Sequence, residues 1–235
     1  MTEAIHNVDR DEIEKFEKLS GRWWDPESEF KPLHDINPLR LDYIDRLAPL
    51  AGKRVIDVGC GGGLLTEAMA AKGAQVTGID MGKAPLSVAR LHRHESGLEI
   101  DYQQATAEQM AETQAGSFDV VTSLEMLEHV PDPGAVIAAC ARLIKDDGHV
   151  FLSTINRNPK AYLLAVVGAE YLLRMLPRGT HDYSKFIRPS EMETWARESG
   201  LQLVDLTGMS YNPLTREYRL GRDVSVNYLA CFRKA

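Results

Sequence analysis

Cysteine is scarce in this chain and shows no pairing: Cys60, Cys140 and Cys231 are scattered, with no C-x-x-C spacing. That excludes a disulfide scaffold, argues against a zinc knuckle and points to a reducing compartment, the cytosol by default. Long hydrophobic runs are also lacking. The most apolar stretch, Ala161 to Leu176, is interrupted by Glu170 and Arg174 and is too short and too charged to cross a bilayer. The opening residues, Met1 to Asn7, are polar and acidic rather than basic and then apolar, so neither a secretory signal nor a transit peptide is expected. An excess of positive charge is missing as well: the formal charge is -7, which disfavours nucleic acid as a partner. There are no repeats or low-complexity tracts. At 235 residues the chain suits one domain, residues 1–235, burying about 70 to 75% of its unfolded surface without a covalent staple.

What the chain does have is a strand, a glycine-rich turn, a helix and a second strand in quick succession. Val55-Ile56-Asp57-Val58 reads as a buried strand, Gly59-Cys60-Gly61-Gly62-Gly63 as a tight turn, Leu64 to Lys72 as a helix and Gln75 to Asp80 as the next strand. This is a nucleoside-binding layout, in which Asp80 lies where a carboxylate can accept both hydroxyls of a ribose. The glycine spacing decides which nucleoside. A dinucleotide fingerprint needs glycine at its first, third and sixth positions; from Gly59 the third is Gly61, but the sixth is Leu64. The segment instead resembles the D-x-G-x-G-x-G loop of class I S-adenosylmethionine-dependent methyltransferases, here Asp57, Gly59, Gly61 and Gly63. That ligand has no phosphate, so the loop amides and helix N-terminus would receive its methionine carboxylate. Gly62 is read as a packing residue.

Strands near 53–58, 75–80, 100–104, 118–124 and 148–155 alternate with helical stretches, the rhythm of a parallel sheet with crossover helices. Asp9 to Trp24 and Pro38 to Leu47 read as helices ahead of the sheet, the second carrying Arg40, and form an N-terminal extension over residues 1–50. After a helix from Pro189 to Ser199, Leu201 to Leu206 and Val224 to Phe232 read as two closing strands, the hairpin with which class I methyltransferases end. The expected fold is α/β: a Rossmann-like, mostly parallel, seven-stranded sheet with helices on both faces and a helical insertion, residues 156–188, after the fifth strand.

The fourth strand runs into Glu125-Met126-Leu127-Glu128-His129 at the carboxyl edge of the sheet, where open α/β folds place function. If Glu125 begins a helical turn, Glu128 and His129 share its face, and two carboxylates and an imidazole suit a divalent cation, magnesium foremost, with manganese and zinc also compatible. The competing reading makes Glu128 and His129 structural. In the insertion, six basic residues (Arg157, Lys160, Arg174, Arg178, Lys185, Arg188) face two acidic ones, Glu170 and Asp182. A basic, apolar segment on an acidic protein suits an anionic membrane surface, and equally a lid helix over the site.

Further motifs narrow the resemblance: Phe16-Glu17-Lys18-Leu19-Ser20 with Trp23-Trp24-Asp25, Leu33-His34-Asp35-Ile36-Asn37-Pro38-Leu39-Arg40, and Gly179-Thr180-His181-Asp182-Tyr183-Ser184-Lys185-Phe186-Ile187. With the glycine loop and Glu125 to Val130 they make nearly the whole chain resemble the ubiquinone biosynthesis O-methyltransferases. Tyr183 stands where relatives carry tryptophan, a conservative aromatic change. The resemblance implies that Arg40, Gly59, Asp80 and Leu124 contact S-adenosylmethionine and that Glu125, Glu128 and His129 hold a divalent cation. It implies polyprenylated phenol, catechol and quinol substrates, and hence an enzyme attached peripherally to the cytoplasmic membrane; it leaves room for a complex with other ubiquinone-pathway enzymes. Without a metal, His129 or His181 is the candidate catalytic base, since an imidazole titrates near working pH. Other readings of the loop are a methyltransferase for another lipid-like molecule and a non-catalytic S-adenosylmethionine sensor.

Overall fold

A computed structural model describes residues 7–163 and 182–235. Helix α1, Arg10–Leu19, starts because the Asp9 side chain accepts the free amides of Asp11 and Glu12. Helix α2, Lys31–Leu47, begins earlier than the sequence pattern suggests and carries Pro38 in its interior. The strands and helices then alternate as expected: β1 Arg54–Val58, α3 Leu64–Ala71, β2 Gln75–Asp80, α4 Lys83–Ser96, β3 Ile100–Gln104, α5 Ala107–Thr113, β4 Phe118–Leu124, α6 Pro133–Leu143 and β5 Ile144–Ile155. A single turn, α7 Pro159–Ala161, opens the insertion, and α8 Pro189–Glu198 precedes the closing strands β6 Leu201–Asn212, β7 Glu217–Gly221 and β8 Asn227–Lys234.

The sheet has eight strands in the order β3-β2-β1-β4-β5-β8-β6-β7, so the expected count of seven is corrected by one. The additional strand is β7, an edge strand whose residues are at least partly exposed along its length, so it lacks the apolar run that marks a buried strand. Strands β1 to β5 are parallel, and β8, β6 and β7 pair antiparallel. Between β1 and β4 the strand order reverses direction, and the loops leaving those two strands diverge to open a crevice at the carboxyl edge.

The core lies on both faces of the sheet. Ile56, Val121, Leu152 and Phe232 belong to one layer and Val55, Val120, Phe151 and Leu229 to the other, as period-2 alternation along a strand requires. Each such fully buried apolar side chain contributes about 1.5 to 3 kcal/mol. All three cysteines are free and buried. Among the described residues no helix is long and apolar enough to cross a membrane. Most of the apolar stretch Ala161 to Leu176, and His181, lie outside the described residues.

Candidate active site

The glycine loop is a backbone surface shaped for a ligand. Gly59, Gly61 and Gly63 all have positive φ (74°, 53° and 90°), a region that L side chains rarely adopt. At Gly61 a Cβ would lie 2.2 Å from the Trp23 ring, so the glycine also admits the N-terminal segment onto the loop. Beneath the loop Asp57 is buried, and its carboxylate accepts the hydroxyls of Thr66 and Thr122 at 2.7 Å each, tying α3 to β4. Burial pushes its carboxyl up. The two oxygens of Asp80 accept the amides of Gly61 (2.9 Å) and Gly82 (2.7 Å), which orients the carboxylate toward the cavity that both Asp57 and Asp80 line. Burial raises the Asp80 carboxyl as well, against the pull of those amides.

That cavity, about 700 Å3, runs from the loop past Leu124 to Ile155, Met209, Tyr211 and Tyr218. Its roof is the N-terminal extension. Trp24 donates its indole N–H to the Gly62 carbonyl at 2.9 Å and stacks on His92, ring centroids 3.3 Å apart. Lys185 donates to Asp9 at 3.0 Å and to Glu12 at 3.1 Å, and Asn7 donates to the Asp132 carbonyl at 2.7 Å.

At the exit of β4 the structure corrects the expected metal site. Glu125 has a φ of 53°, left-handed and strained for a residue with a side chain. A helical turn therefore cannot begin there; the 3-10 turn is Leu127–His129, and the i+3 and i+4 relationship on which the shared face depended does not exist. The three side chains go to different partners. Glu125 accepts from Arg40 Nη2 at 2.5 Å, from the Ser153 hydroxyl at 2.7 Å and from Asn227 Nδ2 at 3.0 and 3.1 Å. Glu128 is buried and accepts the Thr154 hydroxyl at 2.8 Å; burial first, then the charge of Glu125, pushes its carboxyl up to about 7. His129 places Nδ1 3.0 Å from the Glu12 carboxylate. Burial opposes its charged form, but that hydrogen bond and the surrounding carboxylates outweigh it and raise its pKa. Among the described residues no group of three or more His, Cys, Asp or Glu side chains gathers as a metal site. As arranged, Glu125 is neutralised by Arg40, and the set Glu125, Glu128, His129 does not fit one cation.

The residues do fit S-adenosylmethionine. Arg40 is buried, and its Nε has no hydrogen-bond partner, a donor at the cavity wall suited to a carboxylate. The methyltransferase domain family model matches residues 33–206. The ubiquinone biosynthesis O-methyltransferase of Nitrosococcus oceani is 68% identical over 98% of this chain and 98% of that protein. Its counterpart in Pseudomonas aeruginosa is 69% identical over 96% of this chain and 97% of that protein.

The chain belongs to the ubiquinone biosynthesis O-methyltransferases.

It is thus an S-adenosylmethionine-dependent methyltransferase. Solved structures share its fold at low identity. The magnesium protoporphyrin IX methyltransferase of Synechocystis PCC 6803 superposes with a TM-score of 0.66 at 18% identity, over 99% of this chain and 100% of that one. An S-adenosylmethionine-dependent methyltransferase from Thermotoga maritima gives 0.68 at 17%, over 96% and 99%.

Of the residues expected from sequence, Arg40, Asp57, Gly59, Asp80, Leu124, Glu125, Glu128 and His129 all line one cavity. Gly61 and Gly63 shape the loop beside it. Glu12, Ser153 and Asn227 were not expected; they stand far in the chain from their partners Glu125 and His129, and only the sheet order and the docking of α1 bring them in.

Proposed function

We propose that this methyltransferase methylates a hydroxyl of polyprenylated phenol and quinol intermediates: 2-polyprenyl-6-hydroxyphenol to 2-polyprenyl-6-methoxyphenol, and 3-demethylubiquinol to ubiquinol. The observation that carries this reading is the near-complete, 67–69% identity to proteins named for ubiquinone biosynthesis. The cavity supports it. Beyond Leu124 its wall is apolar and aromatic, formed by Ile155, Met209, Tyr211, Tyr218 and Val226, a surface for a ring with a hydrocarbon tail.

When bound, S-adenosylmethionine supplies an electrophilic methyl group on its sulfonium. Asp80 holds the ribose hydroxyls, and Arg40, through Nε, holds the carboxylate. A phenol titrates near 10, so at neutral pH its oxygen is mostly protonated and weakly nucleophilic. His129 lines the cavity and is the base of this reading. Because Nδ1 faces the Glu12 carboxylate it carries the proton there, which leaves Nε2 to accept the phenol proton. The α1 roof keeps water from the reacting centre. Residues 156–188 attach the enzyme to the inner face of the cytoplasmic membrane, where a polyprenyl tail resides; in the described part, Tyr162 and Leu163 are exposed.

The test is methyl transfer from labelled S-adenosylmethionine to a short-chain prenylated catechol. A singly methylated catechol is the expected product. Tight cofactor binding with no transfer to any phenolic acceptor would overturn the reading in favour of a sensor.

A further inference from the structure

Asn227 begins β8 and sits in one cross-strand row between Ile155 of β5 and Met209 of β6. All three line the cavity, on the side away from the glycine loop. The orientation of the Asn227 amide is set by Glu125, since both of its contacts to that carboxylate are made by Nδ2, the donor. The Oδ1 atom therefore faces elsewhere. It is buried and has no hydrogen-bond partner. A buried carbonyl oxygen without a donor is costly, and in a cavity wall it marks the place of a ligand donor. The cross-strand neighbours Ile155 and Met209 are apolar, so a donor carried on a largely apolar group fits there. A hydroxyl on an aromatic ring meets both conditions.

We propose that Asn227 is a specificity-determining residue, whose Oδ1 accepts the O–H of the hydroxyl adjacent to the one that is methylated. This rests on the phenol O-methylation reading above. The amide selects acceptors with two neighbouring hydroxyls over those with one, because a lone hydroxyl placed for methyl transfer leaves Oδ1 unmet. The contact discriminates by hydrogen bonding rather than by size, so the ring flanked by Ile155 and Met209 keeps its apolar packing in either case.

The experiment is a cycle of two proteins and two acceptors. Wild type and Asn227→Ala are each assayed with a short-chain prenylated catechol and with the monophenol lacking the second hydroxyl. Binding of both compounds to the S-adenosylhomocysteine complex is measured alongside. Wild type is expected to favour the catechol by about tenfold in kcat/KM and in affinity, the effect of one buried hydrogen bond. Asn227→Ala is expected to abolish that preference, with both acceptors compared at saturating S-adenosylmethionine. A structural role alone, through the lost support of Glu125, lowers both acceptors together and keeps their ratio; that result overturns the proposal. So does a variant whose loss lies only in S-adenosylmethionine affinity, with the preference between acceptors kept. Asn227→Leu, of similar volume and without an acceptor, repeats the ratio if the alanine variant does not fold. Wild type that neither binds nor methylates either phenol refutes the functional reading itself, and this inference falls with it.

Discussion

The Glu12 carboxylate lies 3.0 Å from Nδ1 of His129, so the first helix of the chain reaches the 3-10 turn beyond the fourth strand of the sheet. Lys15 and Lys185 complete the environment of Glu12, at 2.9 and 3.1 Å. The result is a clamp in which the N-terminal extension orients the base of the proposed reaction.

The clamp has a pH signature. Hydrogen bonding to His129 first, opposed by burial and assisted by the two lysines, holds the Glu12 carboxyl well below its ordinary 4.5, so its contribution is present above 4.5 and lost as pH falls through the depressed value. His129 is raised above 6.5, so its contribution is complete below 6.5 and lost as pH rises through the raised value. Docking of α1 is therefore strongest between 4.5 and 6.5. Catalysis needs neutral His129, which places the rising limb of kcat/KM above pH 6.5. Glu12→Gln removes the supporting charge and moves that limb to lower pH, as a kcat/KM profile measures. A limb that stays in place removes His129 as the base.

Gly61→Val places a branched side chain at a φ of 53° and against the Trp23 ring. The backbone strain alone is about 1 to 2 kcal/mol. A loss of S-adenosylmethionine affinity of at least about tenfold is expected by calorimetry, with a change in tryptophan fluorescence as Trp23 is displaced.

Asp57→Ala leaves the buried Thr66 hydroxyl without its acceptor and leaves Thr122 only the long contact to the Ile56 carbonyl at 3.5 Å. The unmet Thr66 hydroxyl costs about 1 to 3 kcal/mol. Thermal unfolding is expected to fall by about 2 to 4 °C per kcal/mol for a chain of this size. An unchanged midpoint would show that the carboxylate does not tie α3 to β4.

Arg40→Lys keeps the charge but removes both the unpaired Nε and the Nη2 that donates to Glu125. S-adenosylmethionine binding is expected to weaken by about tenfold to a hundredfold, in the range of a charge-assisted hydrogen bond. Equal affinity in an isothermal titration would take Arg40 out of the cofactor site.

Deleting residues 161–176 is expected to abolish co-sedimentation with vesicles containing anionic phospholipid while leaving methylation of a water-soluble catechol. Tyr162 and Leu163, which are exposed, are among the residues removed. Persistent sedimentation of the deletion variant assigns membrane attachment to another surface.

The parallel strands were legible because both of their faces are buried, which writes apolar runs such as Val55-Ile56 and Val120-Val121 into the sequence. The glycine loop was legible for a similar reason: its backbone demand is local, and only glycine meets it cheaply. Strand β7 was hidden because it lies at the edge and buries little.

The sequence by itself determined the alternation of strand and helix, the loop with positive φ at Gly59, Gly61 and Gly63, and the acid at the end of β2. Each follows from interactions within a few residues. Only the tertiary structure decided what Glu125, Glu128 and His129 do. A left-handed backbone at Glu125 broke the helical phase that would have aligned them. Their partners Arg40, Ser153, Asn227, Thr154 and Glu12 come from distant segments, up to 117 residues away. Spacing along a chain cannot encode such contacts, because sheet order and the docking of α1 set them.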